Sequence, residues 1–392
     1  MKLLFLTTED STFWSHRLML ARTAKAEGAD VVIMTGLREH RSRLEEEGFR
    51  VISWDISRKS LNPFRELRSF FQVLKSYRTE RPDLVHHIAL KPIVYGSLAA
   101  RLCGRVPTVN TVTGLGPVFT NTNLRIRVLR SILTKALRVC FRAANNRVIV
   151  QNEYDKKFLL EEGISAAEKT VVIPGFGVNT ERFQPCPEPE GEFLVMLPAR
   201  MLWEKGVLEF VEAARELRGR GSTARMVLVG APDPDNPGCI PERQLREWTE
   251  TASIEWWGKQ TDMPKVLCRS HVVCLPSYRE GLPNVLLEAG ACGRAIVTTD
   301  APGCSEVVKH GENGLLVPIR SSRALADAIQ ELLSDSVRRR QMGLEGRKRV
   351  ATRFSEARLT RETLHVYTGL LNGKWYLAVN VREEKLEGLA NS

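Results

Sequence analysis

Long hydrophobic runs are absent from this 392-residue chain. No apolar stretch approaches the length of about 18 residues that a helix needs to cross a bilayer. Met1 to Thr8 is too short for a secretory leader, so the chain is expected to stay in the cytosol. Paired cysteines are missing as well. The eight cysteines (Cys103, Cys140, Cys186, Cys239, Cys268, Cys274, Cys292 and Cys304) include no C-x-x-C, which argues against zinc and against a disulfide scaffold. Most lie inside apolar segments, so buried free thiols are expected. The turn after the first apolar run, Thr8 to Arg17, has no G-x-G-x-x-G, which argues against a dinucleotide oxidoreductase. Acidic residues are absent from Leu84 to Asn152, where ten basic residues fall. Residues 1–183 hold 29 Lys and Arg against 18 Asp and Glu, and the rest of the chain holds 28 of each, so the whole net charge of +11 belongs to the first half. That imbalance calls for an anionic partner. Nucleic acid is not expected, because aromatics are not interleaved with the basic residues and no nucleic-acid module is present.

What is present is an alternation of strand-like and helical patterns. Apolar runs at residues 2–8, 30–35, 50–54, 83–87, 106–112, 147–151 and 170–173 read as strands, with helices such as His16 to Glu27, Pro63 to Tyr77 and Pro92 to Cys103 between them. Continuous apolar strands alternating with helices indicate parallel sheets covered on both faces. A Pro-rich polar stretch, Gln184 to Glu192, interrupts the pattern. It restarts with runs at 193–199, 224–230, 253–257, 271–276, 295–299 and 314–318. The expected fold is α/β, with two doubly wound Rossmann-like domains facing a central cleft. Residues 1–184 would form the first domain. Residues 192–365 would form the second, and 366–392 a tail that packs back on the first domain or frays.

The most informative stretch is Ser277 to Glu288, Ser-Tyr-Arg-Glu-Gly-Leu-Pro-Asn-Val-Leu-Leu-Glu, on a turn from a strand into a helix. Pro283 suits the first helical position. The amides of Gly281, Leu282 and Asn284 would then surround a helix N-terminus, which attracts phosphate. Carboxylates bracket that anion site, Glu280 before it and Glu288 within the helix. Phosphate repels carboxylate, so the pair makes sense only if each faces hydroxyls on either side of the phosphates. A nucleotide sugar has that layout. Pro198 to Gly206 supplies the cations: Arg200 and Lys205 would offset a diphosphate without a metal. The loop from Gly258 to Met263 could hold a base through its backbone.

In the first half, His16 and Arg17 follow the opening strand, with Ser15 as a candidate helix cap. His86 and His87 end another strand and Lys91 precedes a Pro-initiated helix; such a histidine pair is more often structural than catalytic, and no ligand spacing marks it as a metal site. Val112 to Phe119, with Thr113 and Gly114, is a Gly-rich loop suited to close approach by a ligand. From Leu124 to Arg142 a helical wheel places Leu129, Ile132, Leu133, Ala136, Leu137 and Cys140 on one stripe. Arg127, Arg130, Lys135, Arg138 and Arg142 spread over the opposite face. A solvated face usually mixes both signs, and this one carries no acid, so an anionic membrane surface is the expected partner.

Arg200, Lys205 and the E-x7-E pair Glu280 and Glu288, with Gly281, Leu282, Pro283 and Asn284 between them, resemble the retaining family 4 glycosyltransferases of GT-B fold. Pro302 to Pro318 is similar to that family too. In the first half, Ser15-His16-Arg17-Leu18, Lys91-Pro92 with Tyr95-Gly96-Ser97, Thr113-Gly114-Leu115-Gly116 and Gln151-Asn152 resemble bacterial transferases that build polyprenyl-diphosphate-linked glycans. That group includes N-acetylgalactosaminyltransferases of N-glycan assembly and enzymes of capsule and O-antigen assembly.

The resemblance implies a UDP-sugar donor, a polyprenyl-diphosphate-linked saccharide acceptor, no metal cofactor, and a peripheral place on the inner face of the plasma membrane. It implies that Arg200 and Lys205 bind the diphosphate, that Glu280 contacts donor-sugar hydroxyls, and that Glu288 binds the ribose. His86 matches a histidine that often sits near the reacting sugar. Ala89 and Ser305 stand where relatives often have Thr and Arg, so the sugar contacts depart from theirs there. Other readings of the chain are a nucleotide-sugar 2-epimerase of the same architecture and a non-catalytic membrane-bound glycan-binding protein.

Overall fold

The computed structural model describes residues 1–57, 62–114, 124–252 and 254–371. Its strands are β1 (Lys2–Leu6), β2 (Asp30–Thr35), β3 (Arg50–Ser53), β4 (Leu84–Ile88), β5 (Thr108–Val112), β6 (Asn146–Val150), β7 (Thr170–Val172), β8 (Leu194–Pro198), β9 (Arg225–Val229), β10 (Ile254–Trp256), β11 (Val272–Leu275), β12 (Ala295–Thr299) and β13 (Gly314–Val317). They form two sheets, in the orders β3-β2-β1-β4-β5-β6-β7 and β10-β9-β8-β11-β12-β13, with every pairing parallel. Each apolar run marked as a strand in the sequence is one of these. β4, β5, β8 and β12 are buried at every position, which is why their sequences do not alternate.

In both sheets the chain runs outward from a central strand and then restarts on its other side. The order reverses between β1 and β4 in one sheet and between β8 and β11 in the other. Loops leaving the carboxyl ends of such neighbouring strands diverge and leave a crevice where ligands of these folds bind. Ser277 to Asn284 and Pro198 to Gly206 flank the second reversal, and the segment holding His16 and Arg17 flanks the first.

Contacts divide the chain into Met1–Phe176, together with residues from Leu359 on, and Gly177–Arg358. The division falls at Gly177, earlier than the Pro-rich stretch suggested. Val178 bridges to Ser355, and a Cβ on Gly177 would lie 2.7 Å from the Phe354 carbonyl oxygen, so this strand-like segment is held by the second unit. The helix Glu356–Leu370 begins where the second domain was expected to continue. Its Leu359, Leu364 and Tyr367 instead join Leu3, Phe5 and Phe13 in the core of the first unit. Residues 366–371 thus belong to the first unit, and the remainder of the expected tail, with Trp375 to Ser392, lies outside the described residues. So do Leu115 to Phe119 of the Gly-rich loop.

Three local expectations are corrected. The helix expected from His16 to Glu27 is two helices, Asp10–His16 and Leu18–Ala26, broken at Arg17 (φ −132°, ψ −3°). Asp10 sets the early start: its buried carboxylate accepts the amides of Arg38, Glu39 and His40 at 2.8, 2.9 and 2.9 Å. Ser15 caps nothing and donates to the Ser11 carbonyl. Cys186 and Cys268, expected as free thiols, form a disulfide with Cα atoms 5.9 Å apart. No short spacing announces a bond across 82 residues. It follows from the Pro-rich stretch folding onto its unit, where Arg294 donates to the carbonyls of Cys186 and Pro187 at 3.0 and 2.8 Å. The other six cysteines are free.

Candidate active site

In the second unit, Glu280 and Lys205 meet. Lys205 Nζ lies 2.5 Å from Glu280 Oε1, and both side chains are largely shielded, at 13% and 12% exposure. Backbone bonds hold the two loops together. The Tyr278 amide and the Ser277 hydroxyl donate to the Glu204 carbonyl at 2.9 and 3.0 Å, and the Glu280 amide donates to the Pro302 carbonyl at 3.0 Å. Gly206 permits the approach: at φ +71°, a Cβ there would sit 2.1 Å from the Pro276 carbonyl oxygen. Gly303 does the same behind Glu280, where a Cβ would lie 2.6 Å from the Glu280 carbonyl oxygen.

Pro283 is the cap of the helix Asn284–Ala291, one position earlier than its sequence suggested, and no side chain caps that terminus. The first amides of a helix lack intrahelical acceptors, so this end attracts an anion. Asn284 adds a buried Oδ1 with no hydrogen-bond partner. Farther along the helix, burial pushes the Glu288 carboxyl up to about 7, against a smaller opposing pull from Arg182. Arg200 is half exposed and lies 2.7 Å from Asp233, a partner that sequence reading missed because it comes from the loop after β9. A pair this exposed is weak and can be exchanged for a phosphate. Gly258 (φ +63°) faces open space, since a Cβ there would meet nothing within 4 Å, and its carbonyl accepts the Gly230 amide at 2.8 Å. Met263 opens the short helix Met263–Cys268.

The first unit corrects several candidates. His86 and His87 are fully buried, and both nitrogens of each ring are engaged. His86 Nδ1 and Nε2 lie 2.6 Å from Tyr367 Oη and 2.6 Å from Thr111 Oγ1. His87 Nδ1 and Nε2 lie 2.7 Å from Asn110 Oδ1 and 2.9 Å from Tyr77 Oη. Burial lowers both pKa values, His87 to about 4, so both rings are neutral near pH 7. A strand covered on both faces must pair its polar side chains. These histidines therefore link the interior of the sheet, and neither offers a ring nitrogen to a substrate, His86 included. Gly96 makes room for His87: a Cβ there would fall 2.3 Å from its Nε2. Lys91 is drawn to Glu66, at 3.0 Å from both carboxylate oxygens, and to the Ser57 carbonyl at 2.8 Å. Thr113 is exposed, and Gly114 sits at φ +119° with open space around it.

His16 and Arg17 come together with Phe176, which sequence reading also missed. The His16 ring stacks on Phe176 with centroids 3.9 Å apart, and the Arg17 guanidinium lies 5.9 Å from the same ring centroid. The available signal was Gly175-Phe176-Gly177 after β7, with both glycines at positive φ.

On the basic helix Leu124–Phe141, Leu137 and Cys140 are buried as expected, but Ile132 is 61% exposed. Arg127, Lys135 and Arg142 are exposed, Arg130 and Arg138 partly so, and Arg138 donates to the Glu162 carbonyl. The side chain of Leu129 lies outside the described residues. No helix among the described residues is long and apolar enough to cross a membrane.

Known proteins resemble this chain in sequence and in fold. Residues 192–335 match the family profile "Glycosyl transferases group 1", and residues 2–152 match "Glycosyl transferase 4-like". The N,N'-diacetylbacillosaminyl-diphospho-undecaprenol alpha-1,3-N-acetylgalactosaminyltransferase of Campylobacter jejuni is 30% identical over 86% of this chain and 90% of its own length. The UDP-Gal:alpha-D-GlcNAc-diphosphoundecaprenol alpha-1,3-galactosyltransferase of Escherichia coli is 24% identical over 71% of this chain and 73% of its own. Among solved structures, Anabaena HepE in complex with UDP and glucose superposes with a TM-score of 0.76 at 19% identity, over 94% of this chain and 99% of that one. Both halves of the sequence match glycosyltransferase families, one relative matches nearly end to end, and the two parallel sheets have the GT-B fold: the chain belongs to the GT-B glycosyltransferases of the group 1 and family 4 kind.

Proposed function

We propose that this glycosyltransferase moves a hexose derivative, an N-acetylhexosamine being the first to test, from a UDP-sugar to a hydroxyl of a polyprenyl-diphosphate-linked saccharide, with retention of the α configuration. The observation that carries the donor half is the shielded Lys205–Glu280 pair beside the uncapped helix that bears Asn284 and Glu288. The lipid-linked acceptor is supported by the names of the C. jejuni and E. coli relatives, both of which act on diphospho-undecaprenol substrates.

In this reading the bond from the donor's anomeric carbon to phosphate breaks as the bond to the acceptor oxygen forms on the same face. The acceptor proton passes to the departing diphosphate. Lys205 and Arg200 offset the negative charge that grows there, Glu280 holds sugar hydroxyls, Glu288 holds the ribose, and no resident metal is required. The test is a UDP-sugar screen against a synthetic polyprenyl-diphosphate saccharide in EDTA. UDP release that requires acceptor, with an α-linked product, is expected. UDP release without acceptor would move the reading to a 2-epimerase, and absence of donor binding would leave a glycan-binding protein.

The same reading places the enzyme peripherally on the cytoplasmic face of an anionic membrane. Two features of the first unit support it. The helix Pro63–Glu80 exposes Phe64, Leu67 and Phe71, at 83%, 53% and 55%, along one i, i+3, i+7 face. The acid-free helix Leu124–Phe141 and the residue after it contribute Arg127, Lys135 and Arg142, each worth about 1 kcal/mol beside an anionic leaflet. Exposed apolar anchors and exposed basic side chains both suit the headgroup boundary. Flotation with anionic vesicles is expected to carry the protein at low salt and to weaken at high salt. Double replacement of Phe64 and Phe71 by Ser should reduce the salt-resistant fraction. A wild-type protein that stays with the pellet at every salt concentration would refute the placement.

A further inference from the structure

Arg17 is a buried cation without a counter-charge. It is 5% exposed, its guanidinium has neither a carboxylate nor a hydrogen-bond partner among the described residues, and none of its nitrogens is fully buried, so they open toward solvent. Its surroundings are aromatic and neutral. The Phe176 ring centroid lies 5.9 Å away, and Tyr367 and neutral His86 are close enough to interact with its charge. Burial lowers its own pKa to about 10, which leaves it charged at neutral pH. Beside it, His16 is stacked on Phe176 and its Nδ1 is buried with no hydrogen-bond partner. Burial, reinforced by the Arg17 charge, lowers the His16 pKa to about 4.

An unpaired charge and an orphaned ring nitrogen at one spot are each costly in a folded protein, and together they mark a place prepared for something that arrives. The arriving group must be anionic, since the site holds a fork of guanidinium donors, and a phosphoryl group fits that fork. The chain itself creates the site. Arg17 is the residue that breaks the helical run between Asp10–His16 and Leu18–Ala26, and it lies beside the point where the strand order reverses between β1 and β4.

We propose that Arg17 and His16 form a phosphoryl-binding site of the first unit that receives the diphosphate of the lipid-linked acceptor. The assignment to the acceptor rests on the function proposed above. The donor's diphosphate already has Lys205 and Arg200 in the second unit, whereas the acceptor's diphosphate has no other cation assigned to it. Neutral His16 would donate one N–H to a phosphoryl oxygen while Arg17 supplies the charge, and Phe176 holds both side chains in place.

The test uses the full chain with three probes: inorganic diphosphate, geranyl diphosphate and UDP. Arg17→Met is expected to weaken geranyl diphosphate and inorganic diphosphate by about 10- to 100-fold, the worth of a charge-assisted contact, and to leave UDP within about twofold. Arg17→Lys should recover part of the affinity. Without ligand, Arg17→Met should melt at or above the wild-type temperature, because it removes an unpaired buried charge; a purely structural arginine would give a lower Tm. Ring-nitrogen NMR should show the His16 pKa rising when geranyl diphosphate binds.

Unchanged binding of geranyl diphosphate by Arg17→Met would overturn the proposal. Loss of UDP affinity in its place would overturn the assignment to the acceptor. Arg17-dependent geranyl diphosphate binding in a wild-type protein that transfers no sugar to a lipid-linked acceptor would uphold the site and overturn the proposed function.

Discussion

Lys205→Gln should lower turnover by about 10²–10³-fold while the protein melts close to the wild-type temperature. The lysine is the only cation placed within contact of Glu280 among the described residues, and Glu280 lies four residues before the uncapped helix Asn284–Ala291, where the proposed function places the donor diphosphate. Charge that grows on a departing phosphate is stabilised most by donors already oriented and shielded from water, and loss of one such donor has effects of that order. Glutamine is chosen because its amide still donates to Glu280, so the carboxylate is not left buried and unpaired. Single-turnover kinetics with saturating donor isolate the chemical step. Turnover within tenfold of wild type would remove Lys205 from the mechanism. Arg200→Ala should act mainly on donor KM, because its side chain is half exposed and already bound to Asp233.

Glu288→Gln should change how donor binding and stability depend on pH. Burial raises the Glu288 carboxyl from 4.5 to about 7, with Arg182 opposing part of that rise. Between those two values the folded chain keeps a proton that the unfolded chain has released. Stability contributed by this group is therefore present below about pH 4.5 and falls as pH rises to about 7, by roughly 3 kcal/mol in total. Glutamine cannot ionise, so the variant should lose that slope. The donor works in the opposite direction. An ionised carboxylate accepts two ribose hydroxyls, whereas a protonated one must give up part of that capacity. UDP affinity should thus rise as pH increases toward 7 and level off above it, with protons released on binding. In Glu288→Gln the affinity should be about 10- to 100-fold weaker near pH 8 and flat with pH. Calorimetry in two buffers of different ionisation enthalpy reads the proton count directly. A wild-type UDP affinity that does not change between pH 5 and 8 would refute the role given to Glu288.

The residues proposed for the donor were legible as a cluster because they are local. Arg200 and Lys205 fall in one loop, and Glu280 to Glu288 span one strand-to-helix turn, so residue type and spacing carry the chemistry without knowledge of the rest of the fold. The histidines were misleading for the opposite reason. His86 and His87 end a strand, where catalytic groups gather, but what they do depends on Tyr77, Asn110, Thr111 and Tyr367, which the chain brings to them from other elements. The partner of His86 on the helix Glu356–Leu370 lies 281 residues away. No spacing rule reaches that far.

The sequence by itself determined the thirteen strands of the described residues, their parallel packing in two sheets and the strand-to-helix turn that carries Glu280, because continuous apolar runs and turn residues act over a few residues. Only the tertiary structure decided that the helix Glu356–Leu370 completes the first unit's core, that Cys186 meets Cys268, and that Arg17 is buried without a counter-charge. Each of those depends on burial and on partners distant in sequence. Burial sets Arg17 apart from an ordinary basic residue, and it is a property of the packed chain alone.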